Sequence, residues 1–250
     1  MRESGKPANR GGLLVLVVLL AVASGALADN PRSCAILLTG NDETGGPAYG
    51  RGALQGAFDR NADRIATAFA DSLGIASILR LHAEEIDERT FVERVEAFVS
   101  GVEESDTLIF YYAGHGTESF MQPFFVERIA TPEGGPEGAE EVEGLYPYED
   151  LGLLLRSAAC RTVLILDACF SGSAVGLFDP SWTVIASCRA DQRTLLAWGF
   201  GSVFNVEFTD RINKGHTRLD EILEGIDLMY GEEYQFAGDD SIDLASPTCP

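Results

Sequence analysis

Two side chains stand where they could break an acyl bond. Cys169 lies in "VLILDACFSGS", Val163 to Ser173, where four apolar residues run into Asp167, Cys169 and a Ser-Gly-Ser turn. His115 closes an earlier apolar run, "DTLIFYYAGHG", between Gly114 and Gly116. A thiolate is the nucleophile that attacks a carbonyl carbon, and an imidazole protonates the amine that departs. Gly116 lets a substrate approach the main chain, so its N–H and the N–H of Cys169 are candidate oxyanion donors. If the two strands are neighbours, their tips lie about 5 Å apart, within reach of one carbonyl. His82 ends another apolar strand and His216 sits in polar "NKGHTR"; neither is framed by glycines.

These residues need elements to carry them. Cys34 to Thr39 reads as a first buried strand, followed by the loop "GNDETGGPAYGRG" and a helix from about Ala53 to Leu73, stopped by Gly74. "IASILRLH" is a second strand, Glu88 to Gly101 a second helix with Phe91, Val95 and Phe98 on one face, and the His115 run a third strand. "QPFFVE" gives a short extra strand, and residues 131–144 an exposed acidic loop rich in Gly, Pro and Glu. Tyr148 to Ser157 is a short helix before the Cys169 strand, and "TVIAS" is the strand after it. "GSVFNVEFTDRI" is ambiguous between helix and strand, Leu219 to Tyr230 is the last helix, and the tail has no readable period. Strands alternating with helices predict an α/β fold: a three-layer sandwich with a mainly parallel sheet of about six strands and helices on both faces. In such folds reactive groups sit beyond the carboxyl ends of the strands, where Cys169 and His115 fall.

The N-terminus carries Arg2, Lys6 and Arg10, the apolar run Leu13 to Val22, and Ala26-Leu27-Ala28. This tripartite pattern predicts a signal peptide over residues 1–28 and one exported domain over 29–250, secreted or periplasmic. An uncleaved N-terminal anchor is the alternative. The whole chain has a net charge of −21, and loss of the basic leader makes it more negative. Such a surface repels nucleic acid and anionic lipid and suits a cationic substrate, a divalent cation or a salty habitat. Five cysteines leave one unpaired in an exported chain. Cys34 and Cys160 open two parallel strands, and if a strand intervenes they are too far apart to join, which favours a bond from one of them to Cys249. "GPAYGRGALQG" lacks the spacing of a dinucleotide loop and reads as loop glycines.

The runs "DTLIFYYAGHGTE", "RTVLILDACFSGS" and "TVIASCRADQ" together resemble the caspase-like cysteine peptidases of clan CD, which include caspases, metacaspases and the legumain and GPI-transamidase group. "YAGHG" and "DACFSG" are similar to the Y-S-G-H-G and D-x-C-x-S-G elements of metacaspases, and the resemblance runs over most of the chain after the leader. It implies a caspase-like fold, a Cys169 nucleophile with His115 as its partner, and an oxyanion hole from the N–H groups of Gly116 and Cys169. It also implies a peptide or protein as substrate.

The resemblance places Asp167, two before the cysteine, in the S1 pocket, where metacaspases hold Arg or Lys. Other pocket candidates are Asp59, Arg60, Ala113, Ser187 and Asp191. Ala113 replaces the family's Ser, and Gly56-Ala57-Phe58-Asp59-Arg60 departs from its G-C-x-N-D element. Arg60 and the compact segment after Gly172 point instead to the legumain branch, which cuts after Asn. Three acids against one Arg favour a basic P1 residue. Loop 131–144 lacks Lys and Arg, so an enzyme of that preference cannot cut itself there. A transpeptidase and a catalytically inactive binding module of the same fold are the rival readings. The chemistry requires no cofactor. Calcium, which activates many metacaspases, has candidate ligands in Asp239, Asp240, Asp243, Glu232 and Glu233, but their spacing is not that of an EF-hand and a solvated acidic tail is the expected reading.

Overall fold

The computed structural model describes residues 31–42, 54–83, 85–117, 120–122, 146–197, 199–226 and 233–245. The predicted leader 1–28, the acidic loop 131–144, Glu232 and Cys249 lie outside the described residues. Among the described residues no helix is long and apolar enough to cross a membrane.

The main sheet is built from β1 (Ser33–Thr39), β2 (Ser77–His82), β3 (Thr107–Ala113), β7 (Arg161–Asp167), β8 (Thr183–Ala186) and β11 (Gln235–Ala237). Its order is β11-β8-β7-β3-β1-β2, and every pair is parallel except the edge strand β11, which runs antiparallel to β8. The central strands β1 and β3 are buried along their whole length, which is why they read as continuous apolar runs rather than alternating ones. Helices cover both faces. On one side α2 (Glu88–Val99) and α3 (Tyr148–Leu155) pack Phe91, Val95, Tyr148 and Leu151 against Ile36, Phe110 and Leu164. On the other, α1 (Gln55–Thr67), α4 (Val203–Asn213) and α5 (Leu219–Glu224) pack Ile65, Phe204, Phe208 and Ile222 against Leu37, Ile109 and Ile165. Each large side chain buried this way contributes roughly 1.5–3 kcal/mol. The result is a three-layer α/β sandwich.

Local chemistry sets the helix starts. Asp87 sits in extended backbone and accepts the N–H of Thr90 (2.7 Å), a cap that satisfies one of the free donors at the start of α2. Ser202 caps α4 by accepting the N–H of Asn205 (3.0 Å). This resolves the ambiguous 201–212 stretch: Phe204, Phe208 and Ile212 are buried at helical spacing, and only Gly201–Ser202 is extended, pairing as β10 with β9 (Leu196–Ala197). Residues 235–237, just before the patternless tail, close the sheet as β11, held by the pairing to β8 rather than by a pattern of their own.

The third strand also ends earlier than its sequence implies. β3 stops at Ala113, and His115–Gly116 form β4 of a small antiparallel sheet with β5 (Phe120–Gln122) and β6 (Tyr146–Pro147). Gly114 lies against the Tyr112 ring so closely that a methyl there would overlap it. Of "QPFFVE", only Gln122 is described.

Candidate active site

β3 and β7 are neighbours, and their register aligns Ala113 with Asp167. His115 and Cys169 each follow two residues later, so they leave the sheet at the same height. The two tips are stitched together: the Gly114 N–H donates to the Asp167 carbonyl (3.3 Å), and Gly116 passes directly over the next residues of β7. A methyl on Gly116 would lie 2.5 Å from the Cys169 carbonyl oxygen and 2.9 Å from the Ala168 side chain. Glycine is thus required by close approach.

Beyond Cys169 the chain turns sharply. Phe170 holds φ +58°, a left-handed conformation that a residue with a Cβ adopts at a cost of order 1–3 kcal/mol, and such strain clusters at working sites. Its N–H donates to the Gln192 carbonyl (2.8 Å) and Arg193 lies 6.0 Å over its ring. Gly172 is packed under residues 189–190 and Gln235, where any side chain would collide. The Cys169 thiol receives the N–H of Thr194, while burial pushes its pKa up. The resting sulfur is therefore held as a thiol. Among the described residues no hydrogen bond joins it to His115.

His115 is oriented by a residue that sequence reasoning missed. Its Nε2 lies 2.7 Å from Oδ1 of Asp42, whose side chain is fully buried. A carboxylate only accepts, so in the neutral ring Nε2 carries the proton and Nδ1 the lone pair. Asp42 is itself held: its Oδ2 accepts the Leu54 N–H at the start of α1, and its own N–H donates to Gln55 Oε1 (2.8 Å). Gln55 Nε2 donates to the Gly40 carbonyl and to Asp59. Phe58 presses edge-on against the imidazole (5.1 Å between centroids), and the Tyr112 hydroxyl donates to the His115 carbonyl (2.6 Å). The available signal was position. β1 pairs with β3, so an acid just past Thr39 must arrive beside His115.

Asp167 is 3 % exposed. Its Oδ2 accepts from the Ser202 hydroxyl (2.6 Å), the Tyr111 hydroxyl (2.9 Å) and Asn61 Nδ2 (3.0 Å). Asn205 ties the cluster by donating to Tyr111 and to the Asn61 carbonyl, and Arg64 grips Asn205 Oδ1 (2.8 Å). Among the described residues Oδ1 of Asp167 has no hydrogen-bond partner. Desolvation raises the pKa of Asp167 to about 6, against the lowering effect of Ser202, Tyr111, Ser187 and Arg64. Asn61, Tyr111, Ser202 and Asn205 were not expected here, because each reads in sequence as helix or strand filler.

The remaining pocket candidates are dispersed. Ala113 is buried beside Asp167 in the register. Ser187 is buried at the end of β8, its hydroxyl 2.6 Å from that of Thr194. Asp59 and Arg60 do not join Asp167, which is a correction. Asp59 turns to Gln55 and, at 3.9 Å, to His82, and Arg60 is exposed. Two positions along a helix is more than half a turn, so Asn61 faces the cluster and Asp59 faces away. Asp191 is likewise turned outward, paired with Arg189 through two bonds (3.0 and 2.9 Å).

β3 lies between the strands of Cys34 and Cys160, so the two do not join, and both are free thiols, as are Cys169 and Cys188; the favoured partner Cys249 lies outside the described residues. Asp239 accepts from Ser241, Asp243 from the Ala245 N–H, and Glu233 faces Arg189 at 3.8 Å. Among the described residues no group of three or more His, Cys, Asp or Glu side chains gathers around a common point.

Comparison with known proteins gives a fold. No family model matches the chain, and no curated protein matches it. Among solved structures, protein GSU0716 of Geobacter sulfurreducens superposes with a TM-score of 0.58 at 16 % identity, covering 87 % of this chain and 97 % of its own. The chain is therefore similar to that protein in architecture: an α/β sandwich around a mainly parallel six-stranded sheet.

Proposed function

We propose that this chain is an exported cysteine endopeptidase of the caspase-like kind, cutting after Arg or Lys through a Cys169 acyl-enzyme. The observation that carries this reading is the meeting of Cys169, the Asp42-held His115 and the bare main chain of Gly116 at one level on adjacent strand tips. On substrate binding, the thiol proton passes to His115 Nδ1 and the sulfur attacks the scissile carbonyl carbon. The N–H groups of Gly116 and Cys169 hold the oxyanion. His115 returns the proton to the leaving amine, and water, deprotonated by the same nitrogen, hydrolyses the thioester. Asp42 fixes the tautomer and balances the imidazolium.

The positioning role of Asp42 has a direct test. Asp42→Ala is expected to lower kcat by about 100-fold with a smaller change in KM, since the ring loses its tautomer lock and not its place in the pocket. Steady-state rates on a folded variant, its melting temperature checked beside wild type, measure this.

For the pocket, the buried Oδ1 of Asp167 is an acceptor awaiting a donor, and a guanidinium or ammonium group supplies one with the charge to match. One observation favours a second reading, cleavage after Asn: Asp167 is hydrogen-bonded by neutral donors only, an environment that also suits an amide. A fluorogenic library randomised at P1 decides between them. Arg and Lys are expected to exceed Asn and Asp by about 100-fold or more in kcat/KM, and the reverse order refutes the basic pocket. Adding an amine nucleophile and weighing the products distinguishes hydrolysis from transpeptidation. Failure of wild type to react with an acyloxymethyl-ketone peptide probe at Cys169 favours the inactive binding module.

A further inference from the structure

Cys188 takes no part in the chemistry above, yet it is a fully buried free thiol beside the nucleophile. β7 and β8 are parallel neighbours aligned at Leu166 and Ala186, and the Ser187 N–H donates to the Leu166 carbonyl (2.9 Å), carrying the pairing past the strand ends. Cys188 therefore stands level with Ala168. Its sulfur donates to the Ala168 carbonyl at 3.3 Å, the peptide that joins directly to Cys169. Strand spacing and rise put the Cα atoms of Cys188 and Cys169, one residue off register, about 6 Å apart. Disulfides span about 4.4–6.8 Å between Cα atoms.

The sulfurs also converge. Thr194 presents its N–H to the Cys169 sulfur and its hydroxyl to that of Cys188 (3.5 Å). The Gln192 carbonyl (3.3 Å) and the Ser171 hydroxyl (3.7 Å) complete the surroundings of Cys188. Polar neighbours of this kind can carry a proton away from a thiol, unlike the apolar wall around an inert core cysteine.

The geometry points to Cys169 and Cys188 as a reversible oxidation site, in which hydrogen peroxide joins the proposed nucleophile to its buried neighbour and shuts the site. The claim that closure stops turnover rests on the peptidase reading; the bond itself does not. The Cys169 thiolate attacks peroxide, the O–O bond breaks, and a sulfenic acid forms with release of hydroxide, which takes up a proton to become water. The Cys188 sulfur then attacks that of Cys169, the S–O bond breaks, and the oxygen leaves as water with the Cys188 proton. Two thiols lose two electrons and two protons, and one peroxide becomes two waters. Without Cys188 the sulfenic acid has no partner and goes on to sulfinic acid, which thiols do not reverse.

Trypsin tests this on the full-length protein, because Thr162 to Arg189 contains both cysteines and no internal Lys or Arg. After brief peroxide treatment and blocking of free thiols, the wild-type peptide is expected to have lost two hydrogens, and dithiothreitol is expected to restore it. In Cys188→Ser, and in Cys188→Ala should the serine variant fold poorly, the same peptide is expected to gain two oxygens that dithiothreitol leaves in place. A wild-type peptide that gains oxygen without joining its thiols overturns the inference, as does full recovery of the Cys188 variants. Peptide turnover is read in parallel. A disulfide in a protein that never cleaves any peptide counts against the peptidase reading alone, and an active enzyme that forms no disulfide counts against this inference alone.

Discussion

Cys169→Ala is expected to abolish peptide turnover, by about 10⁴-fold or more, and to remove covalent labelling by a P1-Arg acyloxymethyl ketone. The size follows from the role: without the sulfur there is no acyl-enzyme, and the oxyanion donors that remain act on a carbonyl with nothing to attack it. The fold should survive. Cys169 is half-buried at a strand tip, and its loss leaves only the Thr194 N–H without its sulfur acceptor, so the melting temperature is expected within a few degrees of wild type. Cys188 cannot substitute, being sealed beneath the Ala168 carbonyl. Serine at 169 is the sharper control. Its hydroxyl fits the space and can accept the Thr194 N–H, yet its far higher pKa leaves His115 a much harder deprotonation. Residual turnover in Cys169→Ala above the background of a mock preparation sinks the nucleophile assignment. Loss of activity with an early melt means the variant misfolded, and the serine variant then decides.

The sequence makes the sheet legible because its central strands are covered on both sides, so that "AILLT", "TLIFYYA" and "VLILD" could only be interior strands. From their parallel order the placement of His115 and Cys169 at one edge follows. What stays hidden is whatever depends on which residues meet across the sheet. Asp42 and Asn61 come from a loop and a helix far from Cys169 in sequence, and neither lies in a motif. Asn61 occupies a helix position that amphipathic reading assigns to core; its partner Asn205 sits in the stretch left ambiguous between helix and strand, and Tyr111, which Asn205 also reaches, sits in an apolar strand. Buried polar networks carry no periodic signature, because each member is defined by its partner rather than by its neighbours along the chain. Asp59 enters through the likeness of Gly56-Ala57-Phe58-Asp59-Arg60 to a family element, whereas the helix turn brings Asn61 to Asp167. β11 shows the converse case: three residues with no pattern become a strand because β8 offers an edge.

Asp167→Asn separates what the carboxylate does for a substrate from what it does to the fold. In the folded protein the group titrates near pH 6, against an ordinary value of 3.8. Between those values the folded chain keeps a proton that the unfolded chain has lost, so stability falls as pH rises from about 4 to about 6 and then levels off. Above pH 6 a buried charge with one unpartnered oxygen is maintained at a cost of about 3 kcal/mol. Asparagine removes that charge at nearly constant shape. Its oxygen takes the place of Oδ2 before Ser202 and Tyr111, and its amide takes the place of Oδ1, which has no partner among the described residues. The variant is therefore expected to melt at the same temperature as wild type near pH 4 and several degrees higher above pH 6. Catalysis moves the other way. Wild-type kcat/KM on a P1-Arg substrate should rise through pH 6 as Asp167 ionises, and the variant should lose that limb with about 100-fold of its activity, while a P1-Asn substrate changes far less. A thermal shift series and pH–rate profiles on the same preparations read both effects. Greater stability with undiminished Arg cleavage would place the cation elsewhere and leave Asp167 a buried structural carboxylate; a lower melting temperature at neutral pH would mean that the three donors on Oδ2 stabilise the ionised form more than burial disfavours it.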